Sequence, residues 1–161
     1  MNRIVFLTPQ FAVTGALRAE DFATVAAQGF RSVLSNLPDG ESSQHPSSAE
    51  EARMAAGAKL GFRHVSATKS EVLSDRVIEG VNHALTELEV PVLAHCASGL
   101  RSAIAWAAAA ARSQPAECVI AKLKDAGFDL AAIRDELEDQ NGRAHPLPVP
   151  AALDCHCDGR S

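Results

Sequence analysis

One stretch constrains this chain more than any other: Pro91-Val92-Leu93-Ala94-His95-Cys96-Ala97-Ser98-Gly99-Leu100-Arg101-Ser102. An apolar run ends in His-Cys, a short loop with one glycine follows, and Arg-Ser opens a long alanine-rich segment. The pattern reads as a buried strand, a tight loop and a helix N-terminus. Backbone N–H groups of such a loop converge in front of the thiol as an anion-binding nest. The positive end of the helix dipole points at the same space. A cysteine in that setting is a thiolate near neutral pH. Arg101 offers a planar fork to an oxyanion. Ser102 has a hydroxyl to donate to the thiolate or to a departing sulfur, and Gly99 allows positive φ and close approach of a ligand. The candidate catalytic residues are therefore Cys96, Arg101, Ser102 and His95; the candidate substrate-binding residues are Ala97, Ser98, Gly99, Leu100 and Arg101. An inert core cysteine is the bland alternative, and the register of His, Cys, Gly, Arg and Ser argues against it.

The stretch resembles the signature loop of cysteine-dependent protein phosphatases, His-Cys-x-x-Gly-x-x-Arg-Ser/Thr, with one departure. That pattern has five residues between Cys and Arg, whereas here there are four, Ala97 to Leu100. The shorter spacing resembles the active loop of rhodanese sulfurtransferases, and a smaller ring of donors suits a single sulfur atom better than a tetrahedral phosphate. The whole chain resembles the bacterial phosphatase-like domain of the beta-lactamase-hydrolase-like family. That resemblance implies a dual-specificity-phosphatase-like α/β fold and a link to sulfur transfer; some members of the family are fused to a persulfide-dioxygenase-type metal domain. It also implies that His95 shapes the loop by hydrogen bonds and is not a base.

At 161 residues the chain fits one domain with a sizeable core. A net charge of −5 offers no basic footprint for nucleic acid. The cysteines Cys96, Cys118, Cys155 and Cys157 make no spaced disulfide framework, and a thiolate site implies a reducing compartment. The N-terminal apolar run Ile4 to Leu7 is too short for a signal peptide, and Ala103 to Ala111 is too short to span a membrane. A cytoplasmic location is expected.

Along the chain, Ile4 to Leu7 and Phe11 to Val13 read as short strands. Ala19 to Gln28 reads as a helix stopped by Gly29, and Phe30 to Asn36 as a strand running into the turn Leu37-Pro38-Asp39-Gly40-Glu41. The resembled family carries Asn-Leu-Arg-Pro-Asp-Gly-Glu at that turn; no arginine precedes the proline here. Ser48 heads a helix through Leu60, with Glu51 at capping-box spacing. Phe62 to Ser66 is a strand, Ser70 to Glu89 an amphipathic helix, Val90 to Ala94 the central strand, and Ser102 to Arg112 the helix after the loop. Two more helices run from Pro115 to about Ala126 and from Leu130 to Gln140. The expected fold is α/β: a three-layer, dual-specificity-phosphatase-like arrangement with a central, mostly parallel sheet covered by helices on both faces. Residues 1–140 form the domain. Residues 141–161, with Pro146, Pro148 and Pro150, form a proline-rich, cysteine-containing tail expected to be extended or disordered.

A phosphatase also needs an acid for its leaving oxygen. In dual-specificity phosphatases an aspartate follows the strand before the long helix; the matching stretch His64 to Ser70 has no carboxylate. Asp39, Glu71 and Asp75 are the nearby substitutes, each also readable as a solvated charge. Cys155-His156-Cys157 could bind a soft metal or act as a mobile thiol, but no second ligand pair accompanies it, so no metal or other cofactor is expected. The expected function is sulfur transfer. Cys96 takes sulfane sulfur from thiosulfate or a persulfide as a cysteine persulfide, then passes it to a thiol such as glutathione. The expected partners are that small anionic donor, the thiol acceptor and a sulfide-oxidation protein, with neither nucleic acid nor membrane. The alternative is a tyrosine or dual-specificity phosphatase with a phosphocysteine intermediate. A third reading is a non-catalytic module that senses oxyanions or sulfide.

Overall fold

The computed structural model describes residues 1–156. Five short strands, β1 (Val5–Thr8), β2 (Phe11–Thr14), β3 (Ser32–Ser35), β4 (Gly61–His64) and β5 (Val92–His95), form one sheet in the order β1-β2-β5-β3-β4. Only β1 and β2 pair antiparallel; β2, β5, β3 and β4 run parallel. Six helices follow the sequence expectation in outline: α1 (Asp21–Ala27), α2 (Ser48–Gly57), α3 (Asp75–Glu87), α4 (Leu100–Ala111), α5 (Ala116–Asp125) and α6 (Arg134–Gln140). The result is the three-layer α/β arrangement, with β5 in the middle of the sheet. No helix among the described residues is long and apolar enough to cross a membrane.

Side-chain alternation along β5 assigns the two faces. Val92 and Ala94 join Phe11, Val13 and Leu34 in the larger core under α3 to α6. Leu93 joins Ala12, Val33, Phe22 and Ala55 in the smaller core that takes in α1 and α2. In α4, Ala103, Ala105 and Ala107 to Ala111 are all buried, so the helix has no bulky side to hold it off its neighbours. Its largest residue, Trp106, is fully buried and stacks on Phe11 with ring centroids 6.0 Å apart.

Among the boundaries that differ from the sequence expectation, three have a clear local reason. Helix α2 is capped one residue earlier: Ser47 is the N-cap and its box partner is Glu50, which releases Glu51 to the interior. Helix α3 starts at Asp75, because Ser74 caps it by accepting a bond from Val77 N–H. The last helix is split, a 3-10 turn over Ala131–Ile133 preceding α6.

The tail expectation is corrected for residues 141–156, while Cys157 lies outside the described residues. Ala152, Leu153 and Cys155 are buried. Trp106 Nε1–H donates to Ala152 O at 2.8 Å, and Gln114 Nε2 donates to Leu153 O at 2.7 Å. Gln114 Oε1 accepts from Cys155 N–H at 2.8 Å and from its thiol at 2.7 Å. Prolines deny this segment a ladder of its own, so its polar groups pair with side chains of α4 and the turn after it, and its apolar residues fill the end of the larger core. Cys118 is half-buried on α5. Among the described residues, no group of three or more His, Cys, Asp or Glu side chains is placed to hold a metal ion.

Candidate active site

The C-terminal edge of a parallel sheet is where strand ends leave space for ligands, and the central strand β5 ends there in His95, with Cys96 next in the chain. Gly99, the N-cap of α4, has φ of +94°, a left-handed turn that folds the loop back over the thiol. The Gly99 N–H then donates to Cys96 Sγ at 3.1 Å. Cys96 itself is fully buried, while Ala97 and Ser98 are exposed at the loop's outer edge. The N–H groups of Ala97 and Ser98 donate to no acceptor among the described residues. Leu100, with 44% of its surface exposed, is an apolar patch on the loop's rim.

Arg101 is buried at the start of α4 and gripped end-on by Glu41. Its Nη1–H and Nη2–H donate to the two Glu41 carboxylate oxygens at 2.9 and 2.5 Å, and a second Nη1–H donates to Ala67 O at 2.7 Å. The remaining edge of the guanidinium, Nε–H with the second Nη2–H, donates to no described residue. That edge is a complete fork for an oxyanion. Hydrogen bonding and the charge of Arg101 hold the Glu41 carboxyl below the ordinary glutamate range, against an opposing effect of burial. The same pairing holds Arg101 above its ordinary range, with a further push from the neighbouring Cys96.

Ser102 and His95 are placed differently from the sequence reading. Ser102 Oγ–H donates to Asn36 Oδ1 at 2.8 Å, so its proton is committed to Asn36 and not to the thiol. The Asn36 amide is oriented by its own Nδ2 donation to Val65 O at 2.8 Å, and Asn36 N–H donates to His95 O at 2.7 Å. Asn36 thus ties β3, β5 and α4 together directly beneath the loop. The His95 ring does not bond the loop; its Nε2 lies 2.5 Å from Glu51 Oε1 on α2. Sequence reading missed Asn36, Glu41 and Glu51. The first two begin and end the segment Asn36-Leu37-Pro38-Asp39-Gly40-Glu41, which was visible as a motif. Glu51 was hidden behind a capping-box spacing that Glu50 fulfils.

Each of the acid substitutes is engaged by other groups. Asp39 accepts from Ser48 N–H and Ser48 Oγ–H, both at 2.7 Å, and these bonds hold its carboxyl below the ordinary aspartate range. Glu71 accepts from Thr68 Oγ1 and pairs with Arg76. Asp75 pairs with Arg112 and Arg143 at 3.3 and 3.2 Å. A cleft of about 430 Å³ opens beside Ala97, with Asn2, Arg18 and His45 among its lining residues.

Residues 3–113, which contain the whole loop and its clamp, match the family described as beta-lactamase hydrolase-like protein, phosphatase-like domain. The chain belongs to that family. A beta-lactamase hydrolase-like protein of Agrobacterium fabrum is 31% identical over 144 residues, covering 86% of this chain and 32% of the relative. One from Xylella fastidiosa strain 9a5c is 30% identical over 105 residues, covering 65% of this chain and 24% of the relative. The chain thus spans about a third or less of the length of these curated relatives. Among solved structures, a candidate phosphatase from Neisseria meningitidis Z2491 superposes with a TM-score of 0.71 at 26% identity, covering 86% of this chain and 98% of that one. The core catalytic domain of the PP-IP phosphatase SIW14 from S. cerevisiae superposes at 0.61 with 12% identity, covering 87% and 86%. The fold is that of this phosphatase-like group.

Proposed function

We propose that this family member is a cysteine-dependent phosphatase in which Cys96 is the nucleophile. The Gly99 N–H aimed at Cys96 Sγ carries the reading, because a donor pointed at the sulfur holds it in place within the loop as a nucleophile. The family match and the phosphatase-like neighbours support a phosphoryl group as the target. The substrate's phosphoryl oxygens fit the exposed loop N–H groups and the open edge of Arg101. The thiolate forms an S–P bond as the P–O bond to the leaving group breaks, and the leaving group departs with the electron pair. Water then attacks phosphorus, the S–P bond breaks, phosphate is released and the thiolate is restored. Because Asp39, Glu71 and Asp75 are all engaged elsewhere, the leaving group must depart as a stable anion. Aryl phosphates and phosphoanhydrides are therefore favoured over alkyl phosphates.

Intact-mass spectrometry during turnover of an aryl phosphate tests this. A phosphoryl adduct on wild type and none on Cys96→Ser is the expected result. Absence of both adduct and phosphate release would remove the reading.

Sulfur transfer is the second reading, favoured by the four-residue spacing Ala97 to Leu100 and by the engaged carboxylates. The thiolate would attack the outer sulfur of thiosulfate, the S–S bond would break, and sulfite would leave with the electron pair. The persulfide would pass its outer sulfur to a thiolate such as that of glutathione. Neither donor needs protonation of its leaving group. A gain of one sulfur atom on Cys96 after thiosulfate treatment, with no phosphoryl adduct, would reverse the order of the two readings.

A further inference from the structure

Glu51 is not explained by the packing of α2. The helix start is already satisfied by the Ser47–Glu50 box. One turn further along, Ala55 joins the apolar layer with Ala12, Val33 and Leu93, where an apolar side chain at position 51 would cost nothing to bury. Instead a carboxylate is sealed in, its side chain 2% exposed, against the equally sealed imidazole of His95 at 1%. Burying both groups carries a desolvation cost that an apolar pair of the same size would avoid. The pair also leaves His95 Nδ1 buried with no partner among the described residues.

His95 is the residue bonded to the nucleophile. Its backbone carbonyl is pinned by Asn36 N–H at 2.7 Å, and its ring is pinned by Glu51 from the opposite layer. With both ends of His95 fixed, the direction in which the chain enters the Cys96 loop is fixed too. The Glu51 carboxyl is the only acidic group among the described residues that hydrogen-bonds the ring, one residue from the thiol.

We propose that Glu51 is a positioning residue for Cys96, acting through His95 to orient the loop that carries the reactive sulfur. The proposal rests on Cys96 being the nucleophile, as either reading above requires, but not on the substrate. It is tested by the rate at which iodoacetamide alkylates Cys96 at neutral pH, measured by peptide mass so that other cysteines do not contribute.

Glu51→Gln keeps an acceptor for Nε2–H and removes the charge. The folded variant is expected to alkylate at Cys96 about tenfold slower, the scale on which partners behind a functional histidine act. An unchanged or faster rate overturns the proposal. The double variant Glu51→Leu with His95→Phe replaces the pair by apolar groups, which restores or raises stability. It is expected to melt no lower than wild type while Cys96 stays slow. Wild-type reactivity in that protein would make the pair purely structural and overturn the proposal. Failure of both variants to fold would do the same. Fast alkylation of wild type without hydrolysis of any phosphate ester would instead remove the phosphatase reading and leave this one standing.

Discussion

The two ends of α4 solve opposite problems. At its start, Arg101 and Ser102 are buried polar groups tied to Glu41, Ala67 and Asn36, and the loop before them leaves N–H groups unpaired. Toward its far end the helix is a wall of alanines around Trp106, closed by Ala152, Leu153 and Cys155. The first end accepts unmet hydrogen bonds and buried charge, both of which cost stability, and these are the features the proposed anion site would use. The second end offsets such costs with apolar burial and pairs its buried polar groups. A site of this kind needs a rigid scaffold directly behind it, and one helix provides both.

The comparison breaks most sharply at Cys96. Cys96→Ser is expected to lower turnover by about 10³-fold or more, since it removes the nucleophile of a concerted constellation. The melting temperature should stay near that of wild type, because Ser fits the space. Steady-state rates alongside thermal melts check both halves. Residual turnover near wild type would place the chemistry elsewhere.

The same contrast accounts for what could be read from sequence. The loop was legible because its chemistry demands fixed residue types at fixed spacing, so Cys96, Gly99 and Arg101 could be placed before any fold was known. The sheet was legible from its apolar runs. Glu41 and Asn36 were not, because their partners Arg101 and Ser102 lie far along the chain and only the sheet's strand order brings them together. Residues 141–156 were misread because Pro146, Pro148 and Pro150 dominate the composition. The burial of Leu153 depends on Trp106 and Gln114, which no local pattern reveals. Ser102 was matched to its motif but its proton goes to Asn36, a matter of geometry that spacing does not carry.

At the far end, the expected effect is on stability alone. Leu153 is almost fully buried, so Leu153→Ala is expected to destabilise by about 2–4 kcal/mol through lost transfer energy and the cavity left behind. The specific rate of the folded enzyme should be unchanged. Urea unfolding with activity measured at low denaturant separates the two. A large fall in rate at full folding would mean that the far end is coupled to the loop, and the division drawn along α4 would fail.

Glu41 sharpens the division from the other side. Glu41→Gln weakens the grip on the end of Arg101 and lets the fork turn away from the loop. A misplaced fork costs up to about 10²-fold in rate. Binding of phosphate or sulfate should weaken in parallel, which calorimetry on the free enzyme would detect. Tighter anion binding in the variant would mean that Glu41 competes with the ligand and does not orient its receptor.

The smallest expected effect is the dependence of the clamp on pH, and its sign is fixed by Arg101. Pairing holds the Glu41 carboxyl below its ordinary range, so the folded protein releases that proton more readily than the unfolded chain. The clamp's contribution is therefore complete above the ordinary glutamate range and is lost as pH falls through the lowered folded value. Glu41 keeps 34% of its side-chain surface exposed, so solvent screening limits the contribution to under about 1 kcal/mol. Urea midpoints of wild type and Glu41→Gln, followed from neutral to acid, should converge only at the acid end. Asp39 has a lowered carboxyl in both proteins and cancels in that difference. Curves that stayed parallel throughout would mean the carboxylate charge adds nothing to holding Arg101, and the hydrogen bonds alone would place it.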